Sequence, residues 1–207
     1  MSKAGKVFML DDDRIFLELY RNLLSDRGFD VFTTNNAYKF LLYGRELVPD
    51  VMFLDINMPR MNGWEVLRRI VSDDIMQDIP VVMLSAEAEE DLASARGVAH
   101  FLYKPVAVEA MMDILESYCH GNKNHDVLLI EEYEPLFNDI YERIGRKRSC
   151  FATHNLKAAK KYLKKNQPKK ICVRCTPERF EKAGNELGRK DIYRVENASD
   201  IENLYCG

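Results

Sequence analysis

Long apolar segments are missing from this 207-residue sequence. No run approaches the length of a transmembrane helix, and residues 1–8 lack the apolar stretch of a signal peptide. The composition, 46% hydrophobic and 30% charged, is typical of a globular protein. We therefore expect a soluble cytoplasmic protein with no membrane span.

Cysteine is scarce, and its number is odd. The five cysteines are Cys119, Cys150, Cys172, Cys175 and Cys206. Only CVRC has a spacing that suggests a zinc site, and no second pair completes a ligand set. Because this segment reads as a strand, its two thiols should point to opposite faces. We expect reduced, buried, structural thiols.

Acidic and basic residues are unevenly distributed along the chain. Residues 1–125 hold 20 acids and 13 bases, whereas residues 126–207 hold 13 acids and 17 bases. The net charge changes sign at the polar stretch SYCHGNKNHD. We predict a first domain over residues 1–118, a linker over 119–125 and a smaller second domain over 126–207.

The first half alternates apolar strand patterns with amphipathic helix patterns. The strand segments are KVFML, DVFTT, VMFLD, PVVMLS and HFLY, and each precedes a helical pattern, the last from Val108 to Tyr118. This order predicts an α/β fold, a doubly wound five-stranded parallel sheet with helices on both faces.

In such a sheet, functional residues lie beyond the carboxyl ends of the strands. The polar residues there are Asp11, Asp12, Asp13, Asp55, Ser85 and Lys104. Adjacent carboxylates repel each other by roughly 4 kcal/mol at 4 Å and an effective dielectric near 20, so they require a cation or water. Carboxylates with a hydroxyl and an amine suit Mg²⁺-assisted phosphoryl transfer, in which an aspartate is the nucleophile.

Four motifs at these strand ends, VFMLDDDR, FLDINMPRMNG, VVMLSAE and FLYKP, carry a family resemblance. Through them, residues 1–118 resemble the chemotaxis-regulator-like receiver domain of two-component response regulators. The resemblance implies a flavodoxin-like fold and a signalling switch that is not an enzyme with a separate substrate. It makes Asp55 the phosphoacceptor, with a sensor histidine kinase or a histidine phosphotransfer protein as donor and an unknown protein as downstream partner.

The resemblance also implies a Mg²⁺ site. Asp12 would be a direct ligand, Asp11 a ligand through water, and Asp55 a ligand beside the phosphoryl group. The backbone carbonyl of Asn57 would be the remaining protein ligand. Asp13 lies one residue past the matched pair and is interpreted as a charge at the start of a helix.

Three further residues take switch roles by the same resemblance. Lys104 would pair with the phosphate, Ser85 would donate a hydrogen bond to a phosphoryl oxygen, and Phe101 would move inward with it. Taken singly, these residues also suit ordinary structural roles. Ser85 could cap a helix, Phe101 could fill the core and Lys104 could be a solvated strand-end residue.

Two features of the first half bear on the partner and on the lifetime of the phosphoryl group. The twelve positions from Ser85 to Gly97 are about one helical turn fewer than is usual in the family, which predicts a shortened fourth helix and a remodelled output surface. Asn57 and Glu87 occupy positions that tune phosphate loss in the family. Polar residues there predict a short-lived phosphoryl group.

A shift of 120 residues brings the second half into register with the first at several places, with a much weaker resemblance than that of the first half to its family. VLLIEEYEPLF then aligns with VFMLDDDRIFL, so Glu131 and Glu132 replace the paired aspartates. Cys175, beside Arg174, aligns with Asp55, so no carboxylate stands at the acceptor position. This half resembles a degenerate, truncated receiver, a smaller α/β pseudo-receiver that would act as an adaptor.

Lysines and arginines form a basic face in the second half. They are Arg146, Lys147 and Arg148 of the segment RKR, and Lys157, Lys160, Lys161, Lys164 and Lys165 of the helix LKAAKKYLKK. A solvated amphipathic helix explains the pattern most simply, with Leu156, Ala159, Tyr162 and Leu163 inward. Docking to the acidic first domain, to an acidic protein or to nucleic acid are alternatives, although nucleic acid lacks a supporting motif.

An enzyme is the main rival interpretation of the whole chain. A haloacid-dehalogenase-type phosphatase also uses an aspartate nucleophile and Mg²⁺, in an Asp-x-Asp-x-Thr or Asp-x-Asp-x-Val pattern on the first strand. DDDRI supplies Asp-x-Asp, but Ile15 stands where Thr or Val is expected. The motif around Asp55 would also be left unexplained.

Overall fold

The computed structural model describes residues 5–86, 97–120, 125–131, 150–153 and 155–205. The elements of the first half are β1 (Lys6–Leu10), α1 (Arg14–Ser25), β2 (Asp30–Thr34), α2 (Ala37–Leu47), β3 (Val51–Asp55), α3 (Gly63–Val71), β4 (Val81–Ser85), β5 (Val98–Tyr103) and α4 (Val108–Leu115), followed by a π-helical turn (Glu116–His120). Those of the second half are β6 (Val127–Glu131), β7 (Cys150–Thr153), α5 (Leu156–Leu163), β8 (Lys170–Arg174), α6 (Pro177–Leu187), β9 (Ile192–Arg194) and α7 (Ala198–Asn203).

The first sheet has five parallel strands in the order β2-β1-β3-β4-β5. Helices α1 and α4 cover one face, and α2 and α3 cover the other. Every residue of β3 and β4 is buried, as expected for parallel strands with helices on both faces. The predicted doubly wound flavodoxin-like sheet is therefore confirmed. The strand order reverses between β1 and β3, so their carboxyl ends form the crevice.

The final helix of the first half runs longer than its pattern predicted. The helical backbone continues past Tyr118 to His120 as a π-helical turn. Second-half side chains bind carbonyls of this turn: Asn166 Nδ2 lies 2.8 Å from the Ser117 oxygen, and Lys165 Nζ lies 2.7 Å from the Cys119 oxygen. These donors satisfy terminal carbonyls that water would otherwise solvate. The shortened helix predicted between Ser85 and Gly97, which is a different helix from α4, lies outside the described residues.

The second sheet has four parallel strands in the order β7-β6-β8-β9. The predicted helix and strand after Cys175 are present as α6 and β9, and the predicted short terminal helix as α7. The sheet fits a second α/β domain, smaller than the first.

One apolar cluster joins the two sheets. Phe151 of β7 lies at its centre: its ring stacks on Tyr162 at 4.5 Å and meets Tyr118 of the first half edge-on at 5.5 Å. The His100 ring lies 5.1 Å from the same phenylalanine. These side chains are buried and belong to the cluster that also contains the core under α1 and α4, apart from the polar His100. The second half thus packs on the first as part of its core.

The lysines of α5 and the turn that follows it make contacts with the first half. Lys161 Nζ lies 2.6 Å from the Asp50 carbonyl oxygen, and Lys157 Nζ lies 2.9 Å from Gln77 Oε1. Lys165 lies 4.0 Å from the Asp50 carboxylate. Docking to the acidic first domain, left open by the sequence, is the arrangement found.

The apolar side of α5 agrees with its sequence pattern. Leu156, Ala159 and Tyr162 are buried as predicted, and Leu163 is half-buried. Of the predicted basic face, residues 146–148 lie outside the described residues. The helix is therefore amphipathic, but part of its basic side meets the first domain rather than solvent.

Adjacent lysines on α5 offer a matched test of this docking. Lys161→Ala should lower the free energy of unfolding by about 1 kcal/mol, because it removes a charged hydrogen bond to the Asp50 carbonyl. Lys160→Ala, which truncates an exposed side chain on the same helix, should leave it nearly unchanged. Urea denaturation of both full-length variants measures the difference. Equal losses would show that the bond contributes nothing to docking.

The cysteines of the described ranges are free thiols, as predicted. Cys150, Cys172 and Cys175 are buried, and burial raises the pKa of Cys172 to about 12. Cys172 belongs to the cluster under α7, whereas Cys175 belongs to the cluster shared with the first half, so they do point to opposite faces. Within the described ranges, none of the helices is long and apolar enough to cross a membrane.

Candidate functional site

Three carboxylates meet at the crevice between β1 and β3. Oxygen atoms of Asp11, Asp12 and Asp55 all lie within 4.8 Å of one another. Asp11 and Asp55 are buried, with 1% and 3% of their surface exposed, while Asp12 is exposed. The sequence prediction that these strand ends come together is therefore correct. Such oxygen ligands suit Mg²⁺, which usually keeps several waters and takes only a few protein carboxylates.

Lys104 stands between the two buried carboxylates. Its Nζ atom lies 2.8 Å from Asp11 and 2.7 Å from Asp55. Burial raises the pKa of Asp11, and the bond from Lys104 opposes that rise. Burial would lower the pKa of Lys104, but its bonds to Asp11 and Asp55 outweigh burial and raise it. The ammonium group thus offsets the repulsion between the two acids.

The other predicted residues lie on β4, on β5 and in the loop after β3. Ser85 is buried at the end of β4, and its carbonyl accepts a 2.7 Å bond from the Lys104 backbone. Asn57 lies exposed in the loop two residues after Asp55. Phe101 is half-buried on β5, with its ring 6.1 Å from the Trp64 ring. Glu87 lies outside the described residues.

Asp13 has the helix-terminal role that the sequence suggested. Its carboxylate accepts bonds from the backbone nitrogens of Ile15 and Phe16 at 2.8 and 3.2 Å, which makes it the N-cap of α1. The phosphatase pattern requires this second acid of Asp-x-Asp in the catalytic cluster. Because Asp13 caps a helix instead, the site does not favour the phosphatase interpretation.

Two site residues were missed by the sequence analysis. The Phe16 ring centroid lies 4.8 Å from Lys104 Nζ, so an aromatic face supports the ammonium group. Gly63 starts α3 directly against Asp55: an added Cβ would lie 2.3 Å from the Asp55 carbonyl oxygen. The Asn-Gly pair after the third strand was the available signal for this close approach.

Lys104→Met should lower the stability of the first domain by leaving Asp11 and Asp55 close together without the lysine. In Mg²⁺-free buffer we expect the free energy of unfolding to fall by about 2 kcal/mol, because Asp11 and Asp55 lose their shared cation. Added Mg²⁺ should reduce the difference in unfolding free energy between the variant and the wild type, since a bound metal cation also compensates the charge of the two acids. Urea denaturation with and without Mg²⁺ measures both effects. Lys39→Met, on the exposed side of α2, is the control, and an equal loss there would contradict the assignment.

Comparison with known proteins decides the family. The family model of the response regulator receiver domain matches residues 7–116, just over half of the chain. The chain belongs to the response regulator receiver family. We refer to residues 5–120 as the receiver and to residues 125–205 as the second domain.

Relatives and solved structures agree with this assignment. The polar-differentiation response regulator DivK of Brucella anthropi is 29% identical over 115 residues, which are 54% of this chain and 94% of that protein. The structure of chemotaxis protein CheY4 of Vibrio cholerae is 26% identical, with a TM-score of 0.52, covering 55% of this chain and 98% of that one.

A third structure, the receiver domain of sensor histidine kinase PA1611 from Pseudomonas aeruginosa, has a magnesium ion coordinated in its active site cleft. It is 17% identical with a TM-score of 0.51, covers 55% of this chain and 96% of that one, and so supports the fold alone. Receiver domains bind Mg²⁺ in an acidic pocket, and a cluster of three carboxylates, those of Asp11, Asp12 and Asp55, is present in this chain.

Proposed function

We propose that the receiver accepts a phosphoryl group on Asp55 and signals by it. The observation that carries the proposal is the buried Asp55 carboxylate, held 2.7 Å from Lys104 beside two further acids. Receiver domains are generally signalling proteins of two-component systems, and this supports a switch rather than an enzyme with a separate substrate. A sensor histidine kinase or a histidine phosphotransfer protein is the proposed donor.

The phosphoryl transfer follows from the positions of the side chains. An oxygen of Asp55 attacks phosphorus, the O–P bond forms, and the N–P bond to the donor histidine breaks. Asp11, Asp12, Asp55 and the backbone carbonyl of Asn57 would hold Mg²⁺, and the ion would screen the charge of the carboxylate and the transferring group. Lys104 already contacts Asp55 and needs only a small shift to bind a phosphoryl oxygen.

Ser85 and Phe101 are the proposed switch residues. Ser85 ends the strand beside β3, and its pairing partner Tyr103 immediately precedes Lys104. Added negative charge on Asp55 would draw the Ser85 hydroxyl and the Lys104 ammonium group toward the phosphoryl oxygens. Phe101, two residues before Tyr103 on β5, would follow the movement and change the surface that a downstream protein contacts.

We further propose that the second domain is a degenerate receiver. Its strand order, β7-β6-β8-β9, repeats the order β2-β1-β3-β4 of the first sheet, with no fifth strand among the described residues. In the first sheet Leu10 pairs with Leu54, so the next position is Asp11 beside Asp55. In the second sheet Glu131 pairs with Arg174. This register favours Arg174, rather than the predicted Cys175, as the counterpart of the phosphoacceptor.

Arg174 forms an ion pair inside the second domain. Arg174 Nη1 lies 3.1 Å from Glu131, whose side chain is fully buried. An arginine cannot accept a phosphoryl group as aspartate does, so the second domain would act only as an adaptor. The one-residue offset from the sequence alignment arises because β8 pairs with β6 one residue earlier than β3 pairs with β1. Glu132 lies outside the described residues.

The experiment that tests the proposed function is incubation of the whole chain with acetyl phosphate and Mg²⁺, followed by intact mass measurement. We expect the mass to rise by one phosphoryl group, and we expect chelation of the metal to prevent the rise. No gain in mass at saturating phosphodonor would contradict the proposal. Turnover of generic phosphomonoesters would favour the phosphatase alternative.

A further inference from the structure

The edge strand of the receiver sheet is irregular where it meets the second domain. Val81 of β4 pairs with Val98 of β5, but the next residue, Val82, pairs with His100. Ala99 is therefore an extra residue, and β5 bulges at this point. In a regular strand, successive carbonyls point to opposite sides, whereas a bulge disrupts this alternation locally. Two successive carbonyls, those of Val98 and Ala99, can thus turn toward the same neighbour.

The second domain binds both of these carbonyls. Thr153 Oγ1, at the end of β7, donates to the Ala99 oxygen at 3.0 Å. Asn155 Nδ2 donates to the Val98 oxygen. The Asn155 side chain also caps α5, since its Oδ1 accepts from the Ala158 backbone nitrogen at 2.7 Å. Strand β7 and the start of α5 are therefore fixed to the bulge.

The bulge sets which residues of β5 reach the phosphoacceptor crevice. Beyond it, Met83 pairs with Phe101 and Ser85 pairs with Tyr103, so Lys104 follows at the mouth of the crevice. Removing the bulge would slip the strand by one residue. Such a slip moves Lys104 by about 3.3 Å along the strand and turns its side chain to the other face. Only the bulged register places the ammonium group between Asp11 and Asp55.

We propose that docking of the second domain stabilises the bulged register of β5 and thereby positions Lys104 for phosphorylation of Asp55. The second domain is then a resident partner that supports the site of the receiver. This inference rests on the proposed function. Lys104 would also pair with the phosphoryl group in this register, so phosphorylation of Asp55 should favour the bulged register at equilibrium and in turn tighten the docking of the second domain.

The side chains packed around the bulge can transmit a shift of β5 to the second domain. His100, directly after Ala99, hydrogen-bonds Tyr118 through Nε2 at 2.9 Å, and both rings contact Phe151 of the second domain. All three of these aromatic residues are buried. Close-packed interiors transmit displacement because their side chains have few alternative positions. A shift of β5 therefore reaches the second domain through both the carbonyl bonds and these rings.

The test uses the full chain with Thr153→Val and Asn155→Asp combined. Valine keeps the shape of threonine without its hydroxyl, and aspartate keeps the cap on α5 without the amide donor. We expect the rate of Asp55 phosphorylation by acetyl phosphate and Mg²⁺ to fall about five-fold or more, because Lys104 is no longer held in position. Thr153→Val alone, the milder change, should give a smaller decrease in the same direction and serves if the double variant does not fold.

A second measurement tests whether phosphorylation of Asp55 affects the second domain. Cys172 is fully buried inside the second domain, so its modification by a thiol reagent, located by peptide mass spectrometry, reports opening of that domain. Phosphorylation should slow this modification in the wild type about five-fold or more. In the double variant, phosphorylation should leave the modification rate nearly unchanged.

The matched control is Asn197→Asp, the same substitution at the N-cap of α7, whose side chain binds Ser199 and Asp200 backbone nitrogens. It should leave the phosphorylation rate unchanged. If wild type is phosphorylated and the double variant reacts at the same rate, the coupling is overturned while the proposed function stands. If wild type takes up no phosphoryl group, the proposed function itself is overturned.

Discussion

Asp55→Asn should abolish phosphoryl uptake completely, with no gain in mass under conditions that modify the wild type. The amide oxygen of asparagine is a poor nucleophile compared with a carboxylate, and it brings no charge to the metal site. The Asp55 side chain is 4% exposed and makes a 2.7 Å ion pair with Lys104. Asparagine has nearly the same size and shape as aspartate, so the substitution removes the acceptor without opening a cavity. Intact mass spectrometry after incubation with acetyl phosphate and Mg²⁺ measures the result.

Asp13→Asn is the matched control for this experiment. Asp13 is the third acid of the same run, but its side chain caps α1, and asparagine is an equally good N-cap. We expect this variant to be phosphorylated at nearly the wild-type rate. If Asp55→Asn gained the same mass as the wild type, another residue would be the acceptor and the assignment of Asp55 would be wrong.

Arg174→Met should destabilise the second domain by about 3 kcal/mol, because it leaves the carboxylate of Glu131 buried without its guanidinium partner. The Glu131 side chain is fully buried and the Arg174 side chain is 15% exposed, so little solvent screens the pair. Breaking one side of a buried ion pair costs far more than the pair itself contributes. Urea denaturation, with Cys172 modification as a probe within the second domain, measures the loss.

Two further variants test whether the loss of stability in Arg174→Met comes from the buried Glu131 carboxylate. Glu131→Gln combined with Arg174→Met should recover part of the stability, since a neutral amide costs less to bury than a carboxylate. Arg189→Met removes the partner of Asp191 in an exposed pair of the same domain and should change stability by less than about 1 kcal/mol. An equal effect of Arg174→Met and Arg189→Met would show that burial of Glu131 is not the source.

Much of the receiver could be predicted from the sequence, because its information is local. Each of the five strands is a short apolar run followed by a helical pattern, and parallel order then forces Asp11, Asp55 and Lys104 to one edge. The bond of Lys104 to both acids was not predicted, since the resemblance assigned this lysine to the phosphate. Phe16 lies on a helical pattern that indicates burial but does not reveal which side chain it contacts.

The second domain shows where local patterns stop being sufficient. The alignment at a shift of 120 residues paired Asp55 with Cys175. It could not detect that β8 pairs with β6 one residue earlier than β3 pairs with β1. The lysines of α5 were recognised as a basic face, but composition does not distinguish a solvated face from a docked one. The bulge at Ala99 leaves no signature in the sequence beyond Gly97, whose positive φ of 104° precedes it.

The meeting of β5 and β7 has a consequence for handling the protein in pieces. Both are edge strands of their sheets, and edge strands with unsatisfied backbone groups promote aggregation. In the whole chain, Thr153 and Asn155 cover the carbonyls of Val98 and Ala99. A chain shortened after residue 120 would expose that edge together with the buried Tyr118 ring. The intact two-domain chain is therefore the unit to express and purify.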